Sequence, residues 1–172
     1  TYYDFKGYIK FANEVAESIQ VYPDGDPRRI RRIQALFDNT LIIIDEVHNV
    51  RLTSDNQSNM TTANYLHLIA KHATNVRFVL LSATPMYNSY KEIIWLTNLM
   101  NLNDRRPEIT VDQVFDKNGD FRTKPLGNSA TFGRELLKRR LTGYVSYVRG
   151  ENPYTFPYRV YPKDFSPEKT FE

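Results

Sequence analysis

Leu41-Ile42-Ile43-Ile44-Asp45-Glu46-Val47-His48 is an aliphatic run that ends in two adjacent carboxylates, and a second run, Val76 to Leu81, ends in Ser82-Ala83-Thr84. Consecutive aliphatics with no polar residue alternating between them predict a strand buried on both faces, as in a parallel sheet covered by helices. Sheets of that kind bind their ligands beyond the carboxyl ends of the strands. Asp45 and Ser82 stand at those ends. An acid pair there can divide its labour, one carboxylate staying ionised near a hard cation while the next orients water. Magnesium keeps most of its own waters and takes few protein oxygens, so one or two carboxylates beside a bound phosphate suffice.

Working outward, Ile9, Ala12, Val15, Ala16 and Ile19 recur at helical spacing and predict a helix over Tyr8 to Ile19. Pro23 to Pro27 supplies a turn, with an N-cap at Asp26 and a proline at the first helical position. A helix to about Phe37 follows, with Ile30, Ile33, Leu36 and Phe37 as its stripe. Arg51 to Thr61 is polar and predicts a long loop, while Ala63, Leu66, Ile69 and Ala70 mark the next helix. Ser89 with Glu92 forms a capping-box pattern that should open a helix through about Met100. Beyond Leu102 the character changes. Asn118-Gly119 between Phe115 and Phe121 predicts a hairpin or tight loop, Pro125 to Asn128 another loop, Thr131 to Arg140 a short helix, and Tyr144 to Val148 an edge strand. Proline-punctuated Glu151 to Pro162 follows.

The acidic box Asp45 to His48 followed by Ser82-Ala83-Thr84-Pro85 resembles the first RecA-like domain of superfamily-two DExH helicases. Leu80 to Asn88, Tyr147 to Gly150 and Phe156-Pro157 look most like the Swi/Snf-related helicases and transcription NTPases of large cytoplasmic DNA viruses. The resemblance implies an α/β, RecA-like fold, a parallel sheet flanked by helices, present as a partial domain over 1–103. Residues 104–172 would be an insertion and connector of mixed helix and strand toward a second RecA-like domain, or else a surface linker. It further implies ATP and Mg²⁺ as cofactors, with Asp45 holding the hydrated metal, Glu46 activating the attacking water, and His48, Ser82 and Thr84 coupling nucleotide state to a DNA or RNA groove. The activity implied is an ATP-dependent helicase or translocase. The alternative is a viral transcription initiation or termination NTPase that grips template and RNA polymerase without processive unwinding.

No Gly-Lys-Ser or Gly-Lys-Thr occurs in the chain, so a phosphate-cradling P-loop and its lysine must be supplied from elsewhere. In the family that loop lies upstream of the acidic box and the arginine finger comes from the second domain. The expectation is therefore an interior piece of a longer motor, inactive by itself.

Hydrophobic residues make up 41% of the chain and charged residues 25%, a balance that argues against wholesale disorder. Basic residues number 23 and acidic ones 20, so the net charge of +3 says little about nucleic acid. Cysteine is absent, which removes disulfides and thiolate metal sites and fits a reducing compartment. No apolar stretch approaches membrane-spanning length. An intracellular setting, a viral factory or the virion, is what the resemblance implies.

Several basic and aromatic residues are nucleic-acid candidates beside blander readings. Arg28, Arg29, Arg31 and Arg32 straddle Ile30 and read as a solvated helix face. Lys138-Arg139-Arg140 at a helix C-terminus complements the dipole and could also meet phosphate. Arg149 among Tyr144, Tyr147, Tyr154, Phe156, Tyr158 and Tyr161 fits either a stacking surface or a half-buried strand. By family analogy, Thr1, Tyr2 and Tyr3, in a loop after a strand end, are the better backbone contacts. Such contacts would be insensitive to sequence and weakened by salt. His67 and His72 diverge on a helix and cannot share a metal, and Asp116, Asn118 and Asp120 begin a calcium-loop pattern that fails at Phe121.

Overall fold

The computed structural model describes residues 3–50, 57–86, 89–124 and 132–147. The chain runs α1 (Tyr8–Ile19), α2 (Pro27–Phe37), β1 (Leu41–Ile44), a 3-10 turn (Val47–Asn49), α3 (Gln57–His72), β2 (Arg77–Leu80), α4 (Glu92–Asn103), α5 (Val111–Val114) and α6 (Gly133–Leu141). It is an α/β fold. β1 and β2 pair in parallel with Leu41 opposite Arg77 and Ile44 opposite Leu80, and α3 makes the crossover.

The local rules place the first helices well. Ala12, Val15, Ala16 and Ile19 bury one stripe of α1, whereas Ile9 lies outside it and is exposed. At α2 the Asp26 carboxylate accepts the Arg28 amide at 2.8 Å and Pro27 opens the helix, satisfying a donor that would otherwise be orphaned. Ile33 is fully buried; Leu36, expected in the stripe, is exposed, as are Arg28, Arg31 and Arg32. Two loops clamp the entry to the sheet. Asn39 donates its amide to the Thr74 carbonyl at 3.0 Å, and the Asp38 carboxylate accepts the Thr74 amide at 2.6 Å.

α3 is the hub of the core. Its Ala63, Leu66 and Ala70 pack with Ile44, Val47, Val50, Trp95, Leu96 and Leu99. Its Ile69, with Ala73 beyond it, packs with Val15, Ile19, Ile33 and Val76. A third cluster joins Ile94 of α4 to Ile109, Val114, Phe115, Leu136 and Leu137, so α5 and α6 pack back toward α4. Asn98 helps to hold them there by donating to the Ile109 carbonyl and accepting the Ile109 amide, each at 2.8 Å.

Four expectations need correction. The strands are not buried on both faces: Ile44 is covered, but Leu41 and Ile43 are 58% and 59% exposed, because among the described residues the helices cover one side of the pleat. The polar loop gives way to α3 already at Gln57, since Leu66 and Ile69 anchor a helix that propagates into a polar first turn; residues 51–56 lie outside the described residues. Ser89 does not cap α4. Its hydroxyl accepts the Lys91 amide at 3.2 Å in a tight local turn, and the helix starts at Glu92 without a side-chain cap. Tyr144 to Tyr147 form no strand, as Tyr144 is taken up by the Asp104 carboxylate and by stacking under the Arg106 guanidinium.

The hairpin at Asn118-Gly119 is present: Phe115 bridges Phe121 in antiparallel fashion and Gly119 takes φ +89°. The Asp116 carboxylate accepts the amides of Asn118 and Asp120 at 2.9 and 3.0 Å. The expected loop at Pro125 to Asn128 and everything after Tyr147 lie outside the described residues.

Candidate functional site

The two boxes meet at one edge of the sheet. Past the end of β1 the ladder continues for two more bonds: the Leu81 amide donates to the Ile44 carbonyl at 2.8 Å, and the Val47 amide donates to the Leu81 carbonyl at 2.9 Å. Between them the chain turns through Glu46, which adopts the left-handed region at φ +50°, ψ +48°. For a residue with a β-carbon that conformation costs about 1 kcal/mol and persists only where the surroundings over-determine it.

Several contacts do so. The Asp45 carboxylate accepts the Glu46 amide at 3.0 Å. The Asn49 amide donates to the Glu46 carbonyl at 2.8 Å, closing the 3-10 turn, and Val47 is only 2% exposed in the core. The Tyr8 hydroxyl, from the first residue of α1, donates to the Asp45 carbonyl and lies 3.3 Å from the Glu46 carbonyl. Burial, then the Asp45 and Glu46 carboxylates, push the Tyr8 phenol above its usual range, so it keeps its proton. Asp45 and Glu46 themselves are exposed.

His48 links the acid side to the hydroxyl side. Its Nδ1 lies 2.9 Å from Ser82 Oγ and 3.2 Å from Glu46 Oε2. Ser82 Oγ also accepts the Thr84 amide at 3.1 Å, which ties Thr84 into the same turn. That acceptance leaves the Ser82 proton free to go to Nδ1; in the other tautomer Nδ1–H is shared between Ser82 and Glu46. One imidazole thus lies within hydrogen-bond reach of both Glu46 and Ser82.

The donor set suits a hydrated hard cation. Two adjacent, exposed carboxylates at a strand end match magnesium's preference for few protein oxygens. Among the described residues there is no group of three or more His, Cys, Asp and Glu able to cage a metal. His67 instead meets the Glu108 carboxylate at 2.7 Å, apart from His72.

The other expected residues are not gathered here. Tyr3 is 75% exposed and stacks on Phe5, with ring centroids 6.5 Å apart. Arg139 is exposed at the end of α6, whereas Arg140 is half-buried, its Nε without a hydrogen-bond partner among the described residues. Thr1, Tyr2 and Arg149 lie outside the described residues. Tyr8 is the residue that sequence reasoning missed: its tie to the acidic box spans 37 residues and leaves no local mark.

No protein-family model matches the chain, and no solved structure matches it. Among curated proteins it is 35% identical over 134 residues to "Putative ATP-dependent RNA helicase" of Acanthamoeba polyphaga mimivirus, covering 76% of this chain and 10% of that protein. The chain belongs to the helicase superfamily. The chain is also 29% identical over 136 residues to Nucleoside triphosphatase I of Melanoplus sanguinipes entomopoxvirus, covering 76% of the chain and 19% of the relative. It is 25% identical over 160 residues to an early transcription factor large subunit homolog of African swine fever virus, covering 87% of the chain and 13% of the relative. The segment thus spans between a tenth and a fifth of these relatives' length. No described helix is long and apolar enough to cross a membrane.

Proposed function

We propose that this helicase segment is part of an ATP-dependent motor that moves along or unwinds DNA or RNA, and that β1 and β2 are two strands of a RecA-like parallel sheet. The observation that carries the reading is the 2.9 Å contact between His48 Nδ1 and Ser82 Oγ, which joins the two boxes at one edge of the sheet, where a single nucleotide would meet both. The names of the relatives, a helicase and a nucleoside triphosphatase, support nucleotide use.

In this reading Asp45 holds Mg²⁺ through its waters, and Glu46, its carboxylate carried on a fixed turn, positions the water that attacks the γ-phosphate of ATP. Bound Mg²⁺ supplies charge neutralisation on the phosphates. His48, Ser82 and Thr84 pass the state of that site toward the nucleic-acid groove. Residues 1–103 are the proposed contribution to the motor domain and 104–172 the connector, with the P-loop and the second RecA-like domain supplied by other parts of the polypeptide. Tyr3, Arg139 and Arg140, with Thr1, Tyr2 and Arg149, are the proposed backbone contacts, whose hallmark is binding that weakens steeply with salt. An intracellular site of action, in a viral factory or virion, accompanies the reading.

The second reading is a transcription NTPase that grips template and RNA polymerase without processive unwinding, favoured by the early transcription factor relative. Strand displacement by the longer polypeptide that carries this segment separates the two. ATP hydrolysis with displacement supports the motor; hydrolysis without displacement, together with polymerase capture, supports the second reading. Absence of nucleic-acid-stimulated ATP hydrolysis would defeat both.

A further inference from the structure

We infer that Tyr8 is a positioning residue for the acidic box, a tether that holds the left-handed turn at Glu46 in place from α1. The inference rests on the reading of Glu46 as the water-positioning group and adds a residue to it.

The backbone accounting leads there. The Ile44 carbonyl is taken by Leu81, the Leu81 carbonyl by Val47 and the Glu46 carbonyl by Asn49. The Asp45 carbonyl, at the strained step itself, is met by the Tyr8 hydroxyl. The same hydroxyl lies 3.3 Å from the Glu46 carbonyl, so one donor bridges both peptide groups that flank the residue at φ +50°. Tyr8 is well placed for the task. Its ring packs on the cluster of Ile44, Val47 and Val50, and its own carbonyl accepts the Thr62 hydroxyl at 3.3 Å, which fixes its base on α3. A phenol on two torsions, seated at both ends, can hold a turn with little loss of freedom.

The consequence follows from where the Glu46 carboxylate hangs. It leaves the backbone between the two tethered peptides, so release of the turn lets the water-positioning oxygen drift. Drift of that kind lowers turnover much more than it weakens substrate binding.

Tyr8→Phe removes the hydroxyl and keeps the ring. Two measurements test it, with Phe11→Leu as the control, since Phe11 packs α1 on the core but carries no hydroxyl to donate to the turn. In the 172-residue chain, amide exchange at Val47 should rise about tenfold in Tyr8→Phe, the loss of one net hydrogen bond, and stay unchanged in Phe11→Leu. In the longer polypeptide, kcat for ATP should fall about tenfold in Tyr8→Phe with KM within about twofold, while Phe11→Leu lowers the melting temperature and leaves kcat alone. Unchanged exchange at Val47 overturns the tether. Normal kcat in Tyr8→Phe beside an inactive Glu46→Gln, or an equal loss of kcat in Phe11→Leu, overturns the positioning role and leaves the reading of Glu46 standing. Normal turnover in Glu46→Gln removes that reading, and the positioning role with it.

Discussion

His48 Nδ1 and Ser82 Oγ meet at 2.9 Å although 34 residues separate them in the chain. The register makes this happen. With Ile44 opposite Leu80 and the Leu81 amide on the Ile44 carbonyl, the two strands end level, and the 3-10 turn after Glu46 swings His48 across onto the neighbouring strand end. A slip of one residue in that parallel pairing would turn every side chain to the other face and separate the boxes.

If Glu46 activates water, charge is what it contributes. Glu46→Gln keeps the size and the left-handed turn, so in the longer polypeptide ATP turnover should fall by at least about a hundredfold while ATP affinity stays within about threefold. Single-turnover hydrolysis beside equilibrium binding of labelled nucleotide measures both. Turnover near the wild-type level would remove Glu46 from the role. The 172-residue chain alone, without a Gly-Lys-Ser or Gly-Lys-Thr loop, should show no hydrolysis above background.

Among the described residues, Ser82 reaches the acid side through His48 and Thr84 is tied to Ser82 by its amide, so their hydroxyls should matter for coupling more than for chemistry. The double variant Ser82→Ala with Thr84→Ala is expected to keep ATP hydrolysis within about threefold and to lose most strand displacement per ATP consumed. A double variant with wild-type displacement per ATP would break the proposed relay.

What the sequence disclosed follows from how far each determinant reaches. The Asp26 cap and the buried stripe of α1 are set within a few residues of themselves, and both are found where the pattern places them, Ile9 excepted. Ser89 shows the limit of the same rule, since its hydroxyl had two local uses and the turn amide of Lys91 won. A capping box does occur at Thr110 and Gln113, heading a helix of only four residues that carries too little periodicity to draw notice. For the site, the residue types at the two strand ends were legible. The left-handed Glu46 and the Tyr8 tether were not, because they draw on contacts made only once β1 pairs with β2 and α1 has packed.

Gly133 opens α6 in van der Waals conflict with any side chain: a β-carbon there would lie 2.0 Å from the Val114 carbonyl oxygen and 3.0 Å from the Arg122 amide nitrogen. Those atoms belong to backbone tied by the Arg122 amide on Val114 at 2.9 Å and the Gly133 amide on Arg122 at 3.1 Å, so neither can move away cheaply. Helix propensity favours alanine over glycine, which makes the sign of the test informative. Gly133→Ala should destabilise by about 3 kcal/mol and lower the melting temperature by about 10 °C. An unchanged or raised midpoint in thermal unfolding would show that α6 does not sit against the hairpin in this way.

His72 should make stability fall on mild acidification. Burial first, then the positive Lys71 and Arg105 and the neighbouring His67, hold its imidazole below the ordinary value of 6.5. The folded chain therefore takes up this proton less readily than the unfolded chain. Above pH 6.5 the group is neutral in both states and adds no slope; as pH drops below 6.5, the unfolded state gains the proton first and is favoured. Urea midpoints for the wild type should decline from pH 7 toward about 5.5, and His72→Asn should remove part of that decline while matching the wild-type slope above pH 7. Its carbonyl, which accepts Gln34 Nε2 at 3.2 Å, is untouched by the change. Parallel curves for the two proteins across the whole range would show that His72 does not carry the acid sensitivity.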